Sequence, residues 1–428
     1  MKIFFDIVGC RLNQSEVERL ANIFRALGHE IVGDPGVADI AVINTCAVTV
    51  KAAADSRKKL RRAARVGAKK VIATGCWATL YPEEARALPG VSEVVSNAEK
   101  DSLVSKVLNI PDEVVARLTL VRESLPGVRR RTRAFIKVQE GCNNHCTYCL
   151  TRLARGGSHS RALDDIQRDV QAALTGGAKE IVLTGVQLGA WGQDFPQSRW
   201  LDDLIAGVLA MPGIQRLRLS SIEPWDFDPV FLSLWQDERL CRQLHIPLQS
   251  GDDPILKAMG RPITSAEYLD LIGMIREEIP EMAITTDVIT GFPGETEESF
   301  QTSEAFLKKV SFAGGHVFTY SPRPGTAAFN MKEHVPAQVA KRRNAILREV
   351  LNETSRAYRD QFIGRSLWVL WESSTLHQDG SWELSGLTDN YVRVLASAAH
   401  DHWNEILEVS MEAHHSSRPA LIGSLIAK

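Results

Sequence analysis

Short apolar runs alternate with longer amphipathic stretches from the start of the chain to about residue 335. In the N-terminal part the runs are Lys2 to Val8, Ile40 to Ile43 and Lys70 to Ala73, and between them Ser15 to Leu27 and Ala53 to Arg65 carry helical periodicity. Continuous apolar runs of this length read as strands buried on both faces. Their alternation with helices predicts an α/β domain with a doubly wound parallel sheet. In such a sheet, ligands bind outside the carboxyl ends of the strands. From 97 to 133 the pattern weakens: a helix near Asp101 to Leu108 is followed by Pro111, Pro126 and the basic run Arg129, Arg130, Arg131 and Arg133, which reads as a connection.

A second alternation then begins. The predicted strands are Ala134 to Gln139, Glu180 to Leu183, Arg216 to Leu219, Arg242 to Leu248, Ala283 to Ile289 and Gly315 to Tyr320. Helical segments lie between them at Ala162 to Leu174, Trp200 to Leu209, Asp253 to Met259, Ser265 to Glu278 and Glu297 to Lys308. Six βα units of this kind predict a partial barrel whose site lies on the loops after the strands. A long polar helix follows from Pro336 to Arg359. Beyond Gly364 short runs appear at Ser366 to Trp371, Trp382 to Leu387, Tyr391 to Leu395 and Ile406 to Val409, the texture of a small antiparallel barrel of OB type. The division expected is therefore 1–110, a linker 111–133, a core 134–335, a helical connection 336–364 and a last domain 365–428.

Length and charge change this picture little. The chain has 428 residues and a net charge of -2, and no apolar stretch approaches the length needed to span a membrane. Cysteine changes it a great deal. There are seven, an odd number, and the N-terminus lacks the features of a secretory signal, so a reducing cytoplasm is expected. Cys142, Cys146 and Cys149 form a C-x3-C-x2-C triplet directly after the first strand of the second alternation. Three thiolates so spaced can hold three corners of a [4Fe-4S] cube and leave the fourth iron open to a small molecule such as S-adenosylmethionine (SAM). Zinc sites usually pair two C-x2-C halves or mix in histidines; zinc or a packing role is the alternative. His145 lies inside the loop, but the spacing is complete without it.

Cys10, Cys46 and Cys76 each follow a predicted strand of the N-terminal sheet, so all three are expected on one rim. The plainer reading is three buried apolar thiols, and Cys241, just before a predicted strand, is read that way. Arg57, Arg61 and Arg65 share a helix face, either as a solvated surface or as phosphate contacts.

At this point the chain resembles the radical-SAM methylthiotransferases across essentially its whole length. The matching strings are Val8-Gly-Cys-Arg-Leu-Asn-Gln14, Ile43-Asn-Thr-Cys-Ala-Val-Thr49, Ala73-Thr-Gly-Cys76, Glu140 to Cys149, Ala154-Arg-Gly156, Thr184-Gly-Val-Gln-Leu-Gly189, His245-Ile-Pro-Leu-Gln-Ser-Gly251, Asp287-Val-Ile-Thr-Gly-Phe-Pro-Gly-Glu-Thr296 and Tyr320-Ser-Pro-Arg-Pro-Gly-Thr326. Asn44 to Thr49, the basic stretch Asp55 to Arg62 and Ala154-Arg-Gly156 are most similar to the subgroup acting on threonylcarbamoyl-adenosine at tRNA position 37. The subgroups acting on isopentenyl-adenosine or on an aspartate of a small-subunit ribosomal protein fit less well. The chain departs from the family at Leu150-Thr-Arg-Leu153, where Ile-Pro is common, and at Gly157-Ser-His-Ser-Arg161, which bears on substrate contact.

The resemblance implies two [4Fe-4S] clusters and SAM. Cys142, Cys146 and Cys149 would hold the cluster that cleaves SAM reductively, and Cys10, Cys46 and Cys76 a second cluster that carries the sulfur. It also implies a last domain of the TRAM type. By comparison with other radical-SAM barrels, Thr184, Gly185, Glu223, Gln249, Ser250, Gly291 and Gly294 would line the SAM pocket, although a tight βα turn is the plainer reading of any single glycine. Tyr148 would cover the cluster or adenine, and Asp287 could be a structural acceptor. Arg155 and Arg161 would meet the substrate carboxylate or RNA, and Tyr391 and Arg393 would read RNA by stacking and phosphate contact. The implied partners are the tRNA anticodon loop, an electron donor such as flavodoxin or ferredoxin, and a sulfur donor of unknown kind. A non-catalytic iron-sulfur RNA-binding protein is the reading from another class.

Overall fold

The computed structural model describes residues 1–126 and 132–426, so Arg129, Arg130 and Arg131 lie outside the described residues. The chain forms two compact units, one of residues 1–144 and 149–213, the other of 145–148 and 214–428.

The first unit opens with strands β1 (Lys2–Ile7), β2 (Glu30–Val32), β3 (Ile40–Thr45), β4 (Lys70–Gly75) and β5 (Val91–Val95), all parallel, in the spatial order β2-β1-β3-β4-β5. Every residue of β3 is buried, as its unbroken apolar run demands of a central strand covered on both faces. Helix α1 (Arg11–Ala26) turns Val17, Leu20, Ile23 and Phe24 onto Ile3, Phe5 and Val42. Helix α2 (Val50–Arg65) turns Ala53, Leu60 and Ala63 inward and is capped by Thr49, whose hydroxyl accepts from the Ala52 amide at 3.0 Å. Each fully buried aliphatic side chain contributes about 1.5–3 kcal/mol. The strand order reverses between β1 and β3, so the crevice of this sheet opens there. Two strands missed by the sequence reading, β2 and β5, form the sheet edges and are short or only half-buried, which leaves them little apolar signal.

The same unit holds β6 (Arg133–Lys137), β7 (Gln139–Glu140), β8 (His159–Ser160) and β9 (Glu180–Thr184). β6 and β9 pair in parallel from Arg133 opposite Glu180 to Lys137 opposite Thr184, and β7 pairs with β8 in a two-residue antiparallel ladder.

The second unit contains β10 (Arg216–Leu219), β11 (Gln243–His245), β12 (Ala283–Thr290) and β13 (Gly314–Thr319), with β11-β12-β13 a parallel sheet. Strand β11 is shorter than the run Arg242 to Leu248 suggested. After His245 the Ile246 amide still donates to the Thr285 carbonyl of β12 at 2.9 Å, and the next bridge to that strand joins Gln249, at φ 74°, to Val288. The helix Ala337–Asp360 lies against β13 and β12. The last 60 or so residues close into a five-stranded barrel, β14 (Ser366–Leu376), β15 (Trp382–Thr388), β16 (Arg393–Ala398), β17 (Ile406–His414) and β18 (Leu421–Leu425), ordered β14-β15-β16-β18-β17. The sequence reading lacked β18, whose glycine and serine dilute its apolar signal. One pair, β16 with β18, is parallel, so the barrel is not wholly antiparallel. Among the described residues no helix is long and apolar enough to cross a membrane.

Candidate functional site

Three strand ends deliver three cysteines. Cys10 is the residue before α1, Cys46 follows β3 directly, and Cys76 opens the short helix α3 (Cys76–Leu80) directly after β4. Glycine makes the approach possible. A side chain on Gly9 (φ 122°) would lie 2.9 Å from Cys46 Cβ, and one on Gly75 (φ 93°) 2.3 Å from the Thr45 carbonyl oxygen. Burial pushes the Cys46 thiol up to about 11, and the charges of Cys76 and Cys10 push the same way against a backbone bond from Val48. The three cysteines follow the adjacent parallel strands β1, β3 and β4 and so stand on one edge of the sheet. Among the described residues no three His, Cys, Asp or Glu side chains are grouped as for a single metal ion. The thiolates of a cube each bind a different iron, and three unpaired cysteines on one rim fit that need.

Behind this rim lies a buried web of charge. Glu16, Lys100 and Arg155 are each 2% exposed in their side chains. Lys100 Nζ lies 2.7 Å from Glu16 Oε2, and Arg155 Nη1 lies 2.8 Å from Glu16 Oε1 and 2.6 Å from Glu140 Oε1. Burial alone would raise the Glu16 carboxyl, but Arg155, Lys100 and Lys137 outweigh it and hold it well below the usual carboxylate range. The web reaches the thiols through two amides. Arg155 Nη2 donates to Asn13 Oδ1 at 2.6 Å, which also lies 3.8 Å from Cys10 Sγ. Asn97 Nδ2 donates to the Ala154 carbonyl at 2.7 Å and to Cys76 Sγ at 3.7 Å.

This corrects the role expected of two arginines. Arg155 is enclosed by Glu16, Glu140 and Asn13, and Arg161 donates to Asp169 at 2.8 Å and to the Lys137 carbonyl at 2.7 Å. Neither guanidinium is presented to an RNA or a substrate carboxylate. Leu150, where the resemblance led to an isoleucine, stays in the apolar cluster of Trp77 and Leu88.

The second triplet is a loop. Within the first unit the Asn144 amide donates to Cys142 Sγ and the Thr151 amide to Cys149 Sγ, each at 3.3 Å. Such N–H to sulfur bonds are the surroundings that thiolates of iron-sulfur clusters use to set charge and potential. Gln187 Oε1 lies 3.4 Å from Cys142 Sγ. Within the second unit Cys146 is bonded to Arg261, which is 1% exposed, lies 2.8 Å from Glu223 and has its guanidinium carbon 4.5 Å from the centre of the Trp225 ring. Tyr148 packs edge-on to Phe292 in an apolar cluster with Met259 and Ala328.

The residues expected around SAM separate into two kinds. Thr184 ends β9 with Gly185 next, close to Gln139, whose Oε1 accepts from Val186 and Gln187. Glu223 faces Arg261, Gln249 bridges to β12 through its backbone, and Gly294 (φ 84°) is open where a side chain would stand. Ser250 and Gly291 are also fixed by packing. Ser250 is buried against Ser303 at 3.2 Å, and a side chain on Gly291 would come within 2.4 Å of Ala340 Cβ. Asp287 lies 3.3 Å from His245, the structural partner expected of it, and Cys241 is 1% exposed. The sequence reading missed Glu16, Asn97, Lys100 and Arg261. Only Arg261, set between a glycine and a proline after a helix, carried a local signal.

In the last barrel, Tyr391 lies on the turn before β16 at φ 66°, not on the strand, with Arg218 5.2 Å from its ring centre. Arg393 is paired with Glu372. Arg218 is fully buried and donates to the Thr388 and Asp389 carbonyls at 3.1 and 2.9 Å, and Arg216 donates to those of Leu387 and Trp368.

Comparison with known proteins places the chain in a family. The model of the Radical SAM superfamily matches residues 136–307, and that of "Uncharacterized protein family UPF0004" matches residues 2–96. A threonylcarbamoyladenosine tRNA methylthiotransferase of Thermotoga maritima is 39% identical over 394 residues, 90% of this chain and 89% of the relative. A tRNA-2-methylthio-N(6)-dimethylallyladenosine synthase of Ehrlichia canis is 31% identical over 87% of this chain and 88% of its own. In fold, the chain is similar to the radical SAM methyltransferase TsrM from Kitasatospora setae, solved with cobalamin and a [4Fe-4S] cluster, at a TM-score of 0.56 and 15% identity over 77% of each chain. With cysteines at the strand ends, a cysteine loop after β7 and relatives matched over nearly its full length, the chain belongs to the radical-SAM methylthiotransferase family, enzymes built around a [4Fe-4S] cluster and SAM.

Proposed function

We propose that this enzyme is a tRNA methylthiotransferase that replaces the hydrogen at carbon 2 of N6-threonylcarbamoyladenosine, at position 37 beside the anticodon, with a methylthio group. The observation that carries the reading is the meeting of Cys10, Cys46 and Cys76 at one sheet edge, in a chain that also has the C-x3-C-x2-C loop. One triplet would hold the cluster that SAM chemistry needs, and the second would hold the cluster that carries the sulfur. The bound cofactors supply the radical chemistry that a C–H bond with no acidic proton and no leaving group requires.

The chain's own part is ligation, orientation and charge. Cys142, Cys146 and Cys149 hold the SAM-cleaving cluster, and Cys10, Cys46 and Cys76 a second [4Fe-4S] cluster. The amides of Asn144 and Thr151 offset thiolate charge at the first, and Asn97 at Cys76 does so at the second. Thr184, Gly185, Glu223, Gln249 and Gly294 are the proposed SAM contacts, with Arg261 orienting Glu223. Tyr391 and the TRAM-like barrel meet the tRNA, and an external donor such as flavodoxin or ferredoxin supplies electrons.

The Thermotoga maritima relative's name and the Asn44 to Thr49 string support threonylcarbamoyl-adenosine as substrate. The name of the Ehrlichia canis relative keeps isopentenyl-adenosine as a second reading. The test is anaerobic turnover of reconstituted protein with SAM, a reductant and tRNA carrying either modification, followed by mass analysis of the nucleosides. A product heavier by one methylthio group in place of hydrogen on threonylcarbamoyl-adenosine is expected. The same gain on isopentenyl-adenosine alone would transfer the assignment to the second reading. Deoxyadenosine without any nucleoside product would turn attention to the ribosomal protein.

A further inference from the structure

Arg155, Arg161 and Arg393, which the sequence nominates for RNA, have carboxylate or carbonyl partners. Helix α2 is the exception. Lys51, Lys58, Arg61, Arg62 and Arg65 are all exposed, and none has a hydrogen-bond or ion-pair partner among the described residues. No acidic residue occurs between Asp55 and Glu83, so nothing along that stretch neutralises Arg61, Arg62 and Arg65. Arg57 and Arg61, Arg61 and Arg65, and Lys58 and Arg62 stand four apart, where like charges repel on a helix surface. Such an arrangement works against the isolated helix and becomes favourable when an anion lies along it.

Geometry narrows the kind of anion. Lys51 and Arg65 are about 21 Å apart along the axis at 1.5 Å per residue, so the cations form a line and not a pocket. A line of point charges with no amide or hydroxyl among the exposed side chains suits a repeating phosphate backbone, which offers charge at regular intervals without sequence information. Arginine's planar fork also matches phosphate oxygens in pairs. The line begins at the thiol rim. Thr49 caps the helix three residues after Cys46, and Val48 and Val50 beside it are 69% and 62% exposed. An apolar lip between a cationic track and a reactive edge suits a base turned in from a strand held by its phosphates.

We propose that the exposed face of α2 is a phosphate track that holds the RNA strand leading to the Cys10, Cys46 and Cys76 rim. This rests on the reading of tRNA as substrate. The test is tRNA affinity of the full-length reconstituted enzyme and of its R61Q/R62Q/R65Q variant, measured from 50 to 200 mM salt, with iron per chain and the thermal midpoint as controls for folding. Each phosphate contact removed lowers the slope of log affinity against log salt by about 0.7 to 0.9, so a loss of about 2 and roughly tenfold weaker binding at the low end are expected. R62E alone gives a smaller loss of the same sign and decides the matter if the triple variant is poorly folded. An unchanged slope with wild-type tRNA binding intact overturns the track while leaving tRNA as the substrate, and would do so even if the variant lost affinity for polyglutamate, the sign of an acidic protein partner. No tRNA binding by the wild type removes the substrate reading and the track with it.

Discussion

The two cysteine triplets are built in opposite ways. Cys142, Cys146 and Cys149 lie within eight consecutive residues, and the sulfurs of Cys142 and Cys149 take N–H groups from neighbours two residues on. Cys10, Cys46 and Cys76 meet only because three parallel strands end on one edge, and of the amides beside them Asn13 is held by the buried Arg155 and Asn97 by the Ala154 carbonyl. The loop carries much of its ligand geometry locally. The rim inherits its geometry from the sheet. A substitution far from any thiol can therefore empty the rim, whereas the loop is vulnerable chiefly at its own residues.

The largest expected effect cleaves the two apart. Cys146→Ala should abolish deoxyadenosine formation while iron bound by the rim persists, about half the wild-type content; wild-type cleavage of SAM by this variant would refute the division of labour. Next is Glu16→Gln, which leaves Arg155 and Lys100 buried without their carboxylate. Breaking a buried pair by removing one partner costs about 3–5 kcal/mol, to be read from urea unfolding of the metal-free protein, and a loss under about 1 kcal/mol would mean that the web is not holding the rim. The same carboxyl sets an acid limit. Its native pKa is depressed, so its contribution is complete above the unfolded value of about 4.3 and drains away as pH falls through the lower native value. Thermal midpoints between pH 3 and 7 should fall at the acid end in the wild type and fall less steeply in Glu16→Gln; parallel curves would count against Glu16 as the titrating group. The smallest effect is Asn97→Leu, made in a chain whose Cys142, Cys146 and Cys149 are alanine. Loss of its bonds to Cys76 and Ala154 should lower iron uptake by the rim at a stability cost of about 1–3 kcal/mol; full iron content with an unaltered spectrum would leave Asn97 a packing residue only.

Much of this was legible from residue order. The apolar runs located β1, β3 and β4 with their ends close to the observed ones, and the position of each cysteine after a run foretold the shared edge. The partners of charged groups were not legible. Arg155 looked like a ligand for RNA because its string sits beside the cysteine loop, yet its three partners, Asn13, Glu16 and Glu140, include two that lie more than a hundred residues away in sequence. The approach of Ala340, which leaves no room for a side chain on Gly291, was equally hidden. Burial partners are set by tertiary proximity, which periodicity does not encode.

The grip of Arg216 and Arg218 on the last barrel has an evolutionary reading. Both guanidiniums hold main-chain oxygens, those of Trp368, Leu387, Thr388 and Asp389, and every residue type carries that oxygen. A latch of this design is blind to side chains. The exposed side chains of the barrel are thus free to drift without loosening these four bonds, and descendants of one enzyme could recast that surface while keeping the same machine.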